Sequence, residues 1–430
     1  MPLFELTNAL QHVQQECREF GRTVLRPYAE EADQLGDIPP RLYSRPEILN
    51  AMRAFVPVER GGGWSSQLRE GEVLDLAGSE MARVLANEAA SYGDTSLWIA
   101  MPGPSLAAPI IEALGTAKQQ AQFYEAFLGE QPRWAAFAMT EPEAGSDVSS
   151  MKTTARCEGD CWVLNGTKWL IGNGGRADVL VVFASIRPGQ GQFGIRGFLV
   201  DRGTSGLRTK RILPSMGLKA LQLAEISFED CRIPSENMLG GNATGWRENG
   251  FHGGIRTFNV FRPCVAAMGV GIGSAALDYV EEMIHQNGCN HVGAQAWNNA
   301  SRKVEQIRGK IHACRLLTWR AAWLYDHGKD NALFAGMAKA FSAQISMEAC
   351  LTAMDICTEA GSLPDGHLQR MFRDAKAIDL LEGTGDVQRL NVARGLLASS
   401  AAAEIRRGCP AQARHAVSEA PWVNRKVAEN

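Results

Sequence analysis

Apolar residues in segment 3–130 return at three- and four-residue spacing, the period of helices that bury one face. Leu6, Ala9, Leu10 and Val13, then Cys17, Phe20, Val24 and Leu25, carry the pattern. Segment 72–90 predicts a long amphipathic helix burying Val73, Leu76, Met81, Val84 and Leu85, and 106–114 and 117–128 predict two more. Gly61-Gly62-Gly63 and Pro102-Gly103-Pro104 interrupt the run. Near residue 135 the pattern shortens. Trp162-Val163-Leu164, a turn at Asn165-Gly166, and Lys168-Trp169-Leu170-Ile171 read as a hairpin, and 179–183, 197–200 and 224–228 as further strands. From about residue 246 the helical period resumes, and 265–285, 301–326, 331–359 and 370–398 have lengths suited to a four-helix bundle. The expected architecture is α+β and multidomain: an N-terminal helical domain (1–134), a small β barrel or sandwich (135–245), a C-terminal helical bundle (246–400) and a tail (401–430).

Composition narrows the class without naming an activity. The chain has 430 residues, 45% hydrophobic and 21% charged, with a net charge of -3. That balance gives no footprint for nucleic acid or for an anionic membrane. No uninterrupted apolar run approaches the roughly 20 residues that cross a bilayer. The start, Met1 to Leu6, lacks a basic region followed by an apolar core, and the first thirty residues mix Glu with Arg. Neither a secretory leader nor a mitochondrial presequence is expected, so the expected location is the cytoplasm. Ten cysteines include no Cys-x-x-Cys; Cys157 and Cys161 come nearest, with no His or Cys pair beside them. Reduced core thiols and no metal site are the expectation.

One carboxylate stands out chemically. Glu382 follows Leu380 and Leu381 and precedes Gly383. Apolar neighbours solvate a carboxylate poorly, which raises its pKa and makes it a candidate proton acceptor. Alone, the string also reads as an ordinary helix end or turn.

Its context changes that reading. Ala138-Met139-Thr140-Glu141-Pro142-Glu143-Ala144-Gly145-Ser146-Asp147 resembles the Thr-Glu-Pro-x-Ala-Gly-Ser-Asp motif of the acyl-CoA dehydrogenase family of flavoproteins. The resemblance continues through Gly166-Thr167-Lys168, Gly172-Asn173-Gly174-Gly175, 213–219 and 228–234, and closes with Arg373-Asp374-Ala375-Lys376, Glu382-Gly383-Thr384 and Gln388-Arg389, all in the family's order. It implies an FAD cofactor. Phe137, Met139 and Thr140 would lie beside the isoalloxazine, and Gly145 and Ser146 in a turn whose free N–H groups approach the flavin, with Ser146 also near substrate. Glu382 takes the place of the family's base, which removes an α-proton from an acyl thioester while the β-hydride passes to flavin N5. The Gly383 amide would stabilise the enolate-like oxygen. Some relatives carry the base on a C-terminal-domain helix, but Phe261 stands there and cannot accept a proton. Asn259 and Arg262 fall on the substrate side by the same resemblance, with a plain salt-bridged arginine as the alternative. Thr384 and Asp386 fall where relatives reach the flavin ribose or adenine, with a helix N-cap as the alternative for Thr384.

Three departures qualify the resemblance. Leu170-Ile171-Gly172 replaces the family's Trp-Ile-Thr or Trp-Ile-Ser beside the flavin, and Trp169, one residue off, is expected on the other face of its strand. Arg-x-x-Phe-Gly becomes Asn287-Gly288-Cys289-Asn290-His291, with Asn298 at the downstream Gln. Gln-Ile-x-Gly-Gly becomes Asp355-Ile356-Cys357-Thr358-Glu359. The adenine end of FAD is thus expected to be held differently. The expected function is α,β-dehydrogenation of an acyl thioester on CoA or an acyl carrier protein, by a homodimer or homotetramer that passes electrons to a protein such as an electron-transfer flavoprotein. A flavin monooxygenase or oxidase on the same fold, and a non-catalytic paralogue with weakened flavin binding, are the alternatives.

Overall fold

The computed structural model describes residues 5–241, 251–287, 294–359 and 365–408. Thr7 caps α1 (Asn8–Phe20) by accepting from the Leu10 amide, and the helix buries Val13, Cys17 and Phe20 as its period requires. Short helices α2 (Ala29–Leu35), α3 (Pro40–Tyr43) and α4 (Pro46–Arg53) follow. The helix expected over 72–90 starts late. Val73–Leu74 forms strand β2 against β1 (Trp64–Ser65), and the helix, α5, runs from Glu80 to Ala100. Its start is fixed by polar groups that hydrophobic spacing does not register. The Ser79 side chain accepts from the Ala82 amide, while Asp326 accepts from the amides of Glu80 (2.7 Å) and Met81 (3.0 Å). Helices α6 (Ala107–Leu114) and α7 (Ala117–Glu125, with a Thr116/Gln119 capping box) complete this part.

The middle of the chain supplies strands β3 (Ala135–Ala138), β4 (Thr154–Glu158), β5 (Cys161–Ile171), β6 (Val179–Ser185), β7 (Ile195–Asp201), β8 (Leu207–Ile212) and β9 (Ala224–Pro234). They form one sheet in the order β3-β6-β4-β5-β9-β8, with β7 also on β6. The hairpin expected at Asn165-Gly166 is not there: β5 runs straight through, antiparallel to both β4 and β9. The Asn165 amide group instead exchanges hydrogen bonds with Asp230 (3.1 and 2.9 Å), and the register against β9 steps between Leu164 and Gly166. Asn-Gly thus serves a β-bulge inside a strand, with Gly166 at φ 149° in close contact with Thr153. The actual hairpin joins β4 to β5 around Gly159, whose φ is 60°.

The bundle contains α8 (Phe251–Asn287), α9 (Ala294–Asp326), α10 (Ala332–Glu359), α11 (Gly366–Leu380) and α12 (Gly385–Gly408). Segment Thr257–Met283 of α8 is long and apolar enough to cross a membrane, yet 83% of its most apolar window is buried, with α5 and α10 against the helix. Pro263 cannot donate to the carbonyl of Asn259. Asn331, just before α10, fills the gap by donating Nδ2–H to that carbonyl at 2.9 Å. The single helix expected over 370–398 is two, α11 and α12, and the break falls at Leu381–Thr384, on the candidate base.

Candidate active site

At that break the chain reverses through two consecutive left-handed residues, Glu382 (φ 52°) and Gly383 (φ 92°). A glutamate in this region costs on the order of 1–2 kcal/mol, so neighbours must hold it there. Lys339 of α10, fully buried, donates from Nζ to the carbonyls of Asp379 (2.7 Å) and Gly383 (2.6 Å). Gln388 of α12, also fully buried, donates from Nε2 to the carbonyls of Glu382 and Gly383, each at 3.2 Å. A Cβ on residue 383 would lie 2.7 Å from Gln388 Nε2, so the closeness of this brace as well as the φ angle requires glycine.

Burial pushes the Glu382 carboxyl up to about 7, with Arg262 and then Lys339 pulling the other way. Of the two flanking leucines, Leu380 is 59% exposed and Leu381 is partly buried against the core. Burial in turn lowers the proton affinity of Arg262, and Glu382 partly restores it. Arg262 donates from Nη1 to Asn259 Oδ1 at 2.9 Å, lies 5.8 Å from the centre of the Phe258 ring, and keeps a buried Nε–H with no partner. Phe258 and Phe261, on the same helix, contact Phe137 of β3, with ring centres 6.1 and 6.2 Å apart. These contacts link the sheet to the helix that carries Arg262.

At the sheet side, β3 leads into the Thr140–Asp147 turn. The Met139 side chain is buried in the cluster that holds Phe261, rather than open to a ligand. The Thr140 carbonyl accepts from the Trp169 amide at 2.9 Å, which ties this turn to β5. Beneath both lies a buried ion pair that sequence reasoning did not single out. Lys168 donates to Glu141 Oε1 (2.8 Å) and to the Met139 carbonyl (2.9 Å), while Glu141 also accepts from the amides of Lys152 (2.6 Å) and Thr153 (3.0 Å). Burial lowers Lys168 to about 8; burial alone would raise Glu141, but Lys168, Thr153 and Lys152 offset it and the net direction is down. The available signal was a lysine inside an otherwise apolar strand.

The other predicted contacts divide. Gly145 and Ser146 sit exposed on the turn, with open space where a Gly145 side chain would be. A second bulge separates Lys168 from Ile171, with Leu170 left-handed (φ 58°) and half exposed, Ile171 buried, and Gly172 packed on Leu221. Trp169 is half-buried with the Arg211 guanidinium 5.3 Å from its ring centre. Thr384 accepts from the Val387 amide (3.4 Å) as the N-cap of α12, and Asp386 is exposed and paired with Arg389. Asn298 and Asp355 are exposed on α9 and α10, and Gly288 to His291 lie outside the described residues. The open turn at Gly145-Ser146, the bulged backbone at Leu170–Gly172 and the capped N-terminus of α12 offer neutral donors and little side-chain bulk, which fits an uncharged flavin edge with a phosphate-bearing tail. Among the described residues no cluster of His, Cys, Asp or Glu could hold a metal ion.

Comparison with known proteins agrees over the whole length. The acyl-CoA dehydrogenase N-terminal, middle and C-terminal domains match residues 7–130, 136–231 and 248–397. The mitochondrial short-chain specific acyl-CoA dehydrogenase of Mus musculus is 31% identical over 395 residues, 92% of each chain. The structure of butyryl-CoA dehydrogenase from Megasphaera elsdenii superposes with a TM-score of 0.80 at 29% identity, covering 92% of this chain and 100% of that one. The prolyl acyl carrier protein oxidase AnaB shares the fold, with a TM-score of 0.78 at 23% identity over 91% of this chain and 100% of its own.

Proposed function

This chain belongs to the acyl-CoA dehydrogenase family, oxidoreductases acting on CH–CH groups, and we propose that it dehydrogenates a compact acyl thioester with Glu382 as the base and FAD as the cofactor. The observation that carries the reading is the Glu382 turn: a carboxylate with raised proton affinity, braced by Lys339 and Gln388, with Arg262 the larger positive charge acting on it. Glu382 takes the α-proton, and its affinity near neutrality suits a base that must be ionised before the step and protonated after it. The Gly383 amide, one residue on and ahead of α12, is the donor for the negative oxygen that develops on the thioester carbonyl. Arg262, held by Asn259, keeps positive charge opposite Glu382 while the substrate loses its proton. Phe137, Phe258 and Phe261 exclude water and limit the acyl chain. Bound FAD supplies the two-electron acceptor for the β-carbon, and Thr140, Gly145, Ser146 and the Leu170–Gly172 segment would hold it.

The mouse and Megasphaera relatives, named for short-chain and butyryl-CoA substrates, support the compact acyl group. Exposed Leu390, Leu396 and Leu397 on α12 support a homo-oligomer that covers them. A flavoprotein electron acceptor is the proposed redox partner. The test is an anaerobic panel of acyl thioesters of rising length, each offered on CoA and on an acyl carrier protein. Bleaching of the flavin band is expected to be fastest with butyryl-length chains. A panel in which no thioester bleaches the loaded protein sinks the dehydrogenase reading. Selective bleaching by carrier-protein thioesters would assign the carrier.

A further inference from the structure

Lys339 is a lysine with no exposed surface in the middle of α10, a position that side-chain desolvation strongly disfavours unless the charge is used. Its Nζ spends two donors on the carbonyls of Asp379 and Gly383, at the C-terminal end of α11 and in the following turn. That is the negative end of a helix, where a cation is favoured. Charged groups on three other elements surround it: Asp379 of α11 and the Glu382 carboxylate favour the ammonium, and Arg262 of α8 and Arg389 of α12 oppose it. Among the described residues, Arg262 and Lys339 are the two positive charges acting on Glu382. The brace therefore does two things with one group: it fixes the carbonyl of Gly383, and it sets positive charge behind the base.

We propose that Lys339 is a positioning residue for the reaction: its ammonium pins the left-handed Glu382–Gly383 turn and supplies the charge that keeps the Glu382 carboxylate ionised between turnovers. The proposal rests on Glu382 being the base. It deepens that reading, because a simple structural lysine would hold the turn without tuning the base. Gln388 separates the two roles, since it binds the Gly383 carbonyl, and that of Glu382, with a neutral donor.

The test is the pH dependence of kcat/KM for the FAD-loaded protein, with Lys339→Gln, Lys339→Arg and Glu382→Gln alongside the wild type. Wild type is expected to lose activity on the acid side as Glu382 protonates. Lys339→Gln is expected to move the acid limb up by about one pH unit, with kcat at neutral pH down about tenfold and KM changed less than about twofold. Lys339→Arg is expected to restore the acid limb to its wild-type position, because a guanidinium keeps a positive charge there. An acid limb in Lys339→Gln that coincides with wild type overturns the proposal. If Lys339→Gln does not fold, Lys339→Met is read in its place: an acid limb that coincides with wild type overturns the proposal, and an upward shift supports it. Wild-type turnover in Glu382→Gln would instead sink the base assignment itself, which no result on Lys339 mimics.

Discussion

At the scale of single residues, the chemistry concentrates where the backbone is strained. Glu382 sits at φ 52° because Gln388 and Lys339 hold its turn from two helices, and its proton affinity is set by burial against the charges of Arg262 and Lys339. The Glu-Gly-Thr string in its setting is what marked it as the candidate base. Of its two flanking leucines only Leu381 packs against the core, since burial of a side chain depends on tertiary neighbours that a local string does not name. Lys339 was invisible for the same reason: nothing within Ala338-Lys339-Ala340 says that its ammonium meets a turn more than forty residues on. A direct consequence concerns pH. A carboxyl with affinity near 7 is mostly protonated, and unable to accept the α-proton, below that value. Activity is therefore expected to fall tenfold per unit as pH drops below about 7, and Arg262→Gln, which removes the larger opposing charge, is expected to shift that limb upward. A limb near the ordinary glutamate range, or one unmoved in Arg262→Gln, would show that burial and Arg262 do not tune Glu382.

At the scale of elements, irregularities in strands and helices shape the site. Both bulges of β5 defeat a simple alternating reading: Asn165-Gly166 looks like a hairpin turn but continues the strand, and Leu170 at φ 58° breaks the pattern that would place Trp169. The split between α11 and α12 was hidden because Leu380, Leu381, Val387 and Leu390 sustain an apolar helical rhythm across it. The strand order and the short β2 were illegible because pairing partners lie far apart in the chain. Under the Thr140–Asp147 turn, Lys168 and Glu141 act as a clamp on Met139, Lys152 and Thr153. Lys168→Met leaves a buried carboxylate without its cation and is expected to cost about 3–5 kcal/mol in urea unfolding, with weakened flavin retention. Lys168→Met combined with Glu141→Gln is expected to recover part of the loss. Strict additivity of the two changes would show that the pair is not coupled.

At the scale of the whole molecule, the helix–sheet–helix order was legible from periodicity, but the ties between the parts were not. Arg373 of α11 grips Asp33 of α2 through two hydrogen bonds (2.7 and 2.6 Å) and Arg370 pairs with Asp94 inside α5 (3.0 Å). Between them Asp374 accepts from the Leu218 amide of the middle segment at 2.6 Å. Burial and then Asp94 raise Asp374 to about 8. The folded state thus binds this proton more tightly than the unfolded chain, so its contribution is full at acid pH and is lost as pH rises through about 8. Asp374→Asn keeps an acceptor for Leu218 and removes the titration. It is expected to unfold at higher urea than wild type above pH 8, by at least about 1 kcal/mol, with the two converging toward acid. Parallel curves across the range would contradict the assignment.

The most direct measurement is anaerobic mixing of butyryl-CoA with FAD-loaded wild type and Glu382→Gln, following the flavin band. Wild type is expected to bleach, and Glu382→Gln to keep its flavin while bleaching on the order of 10²–10⁴-fold more slowly. Bleaching of Glu382→Gln at the wild-type rate would contradict the account.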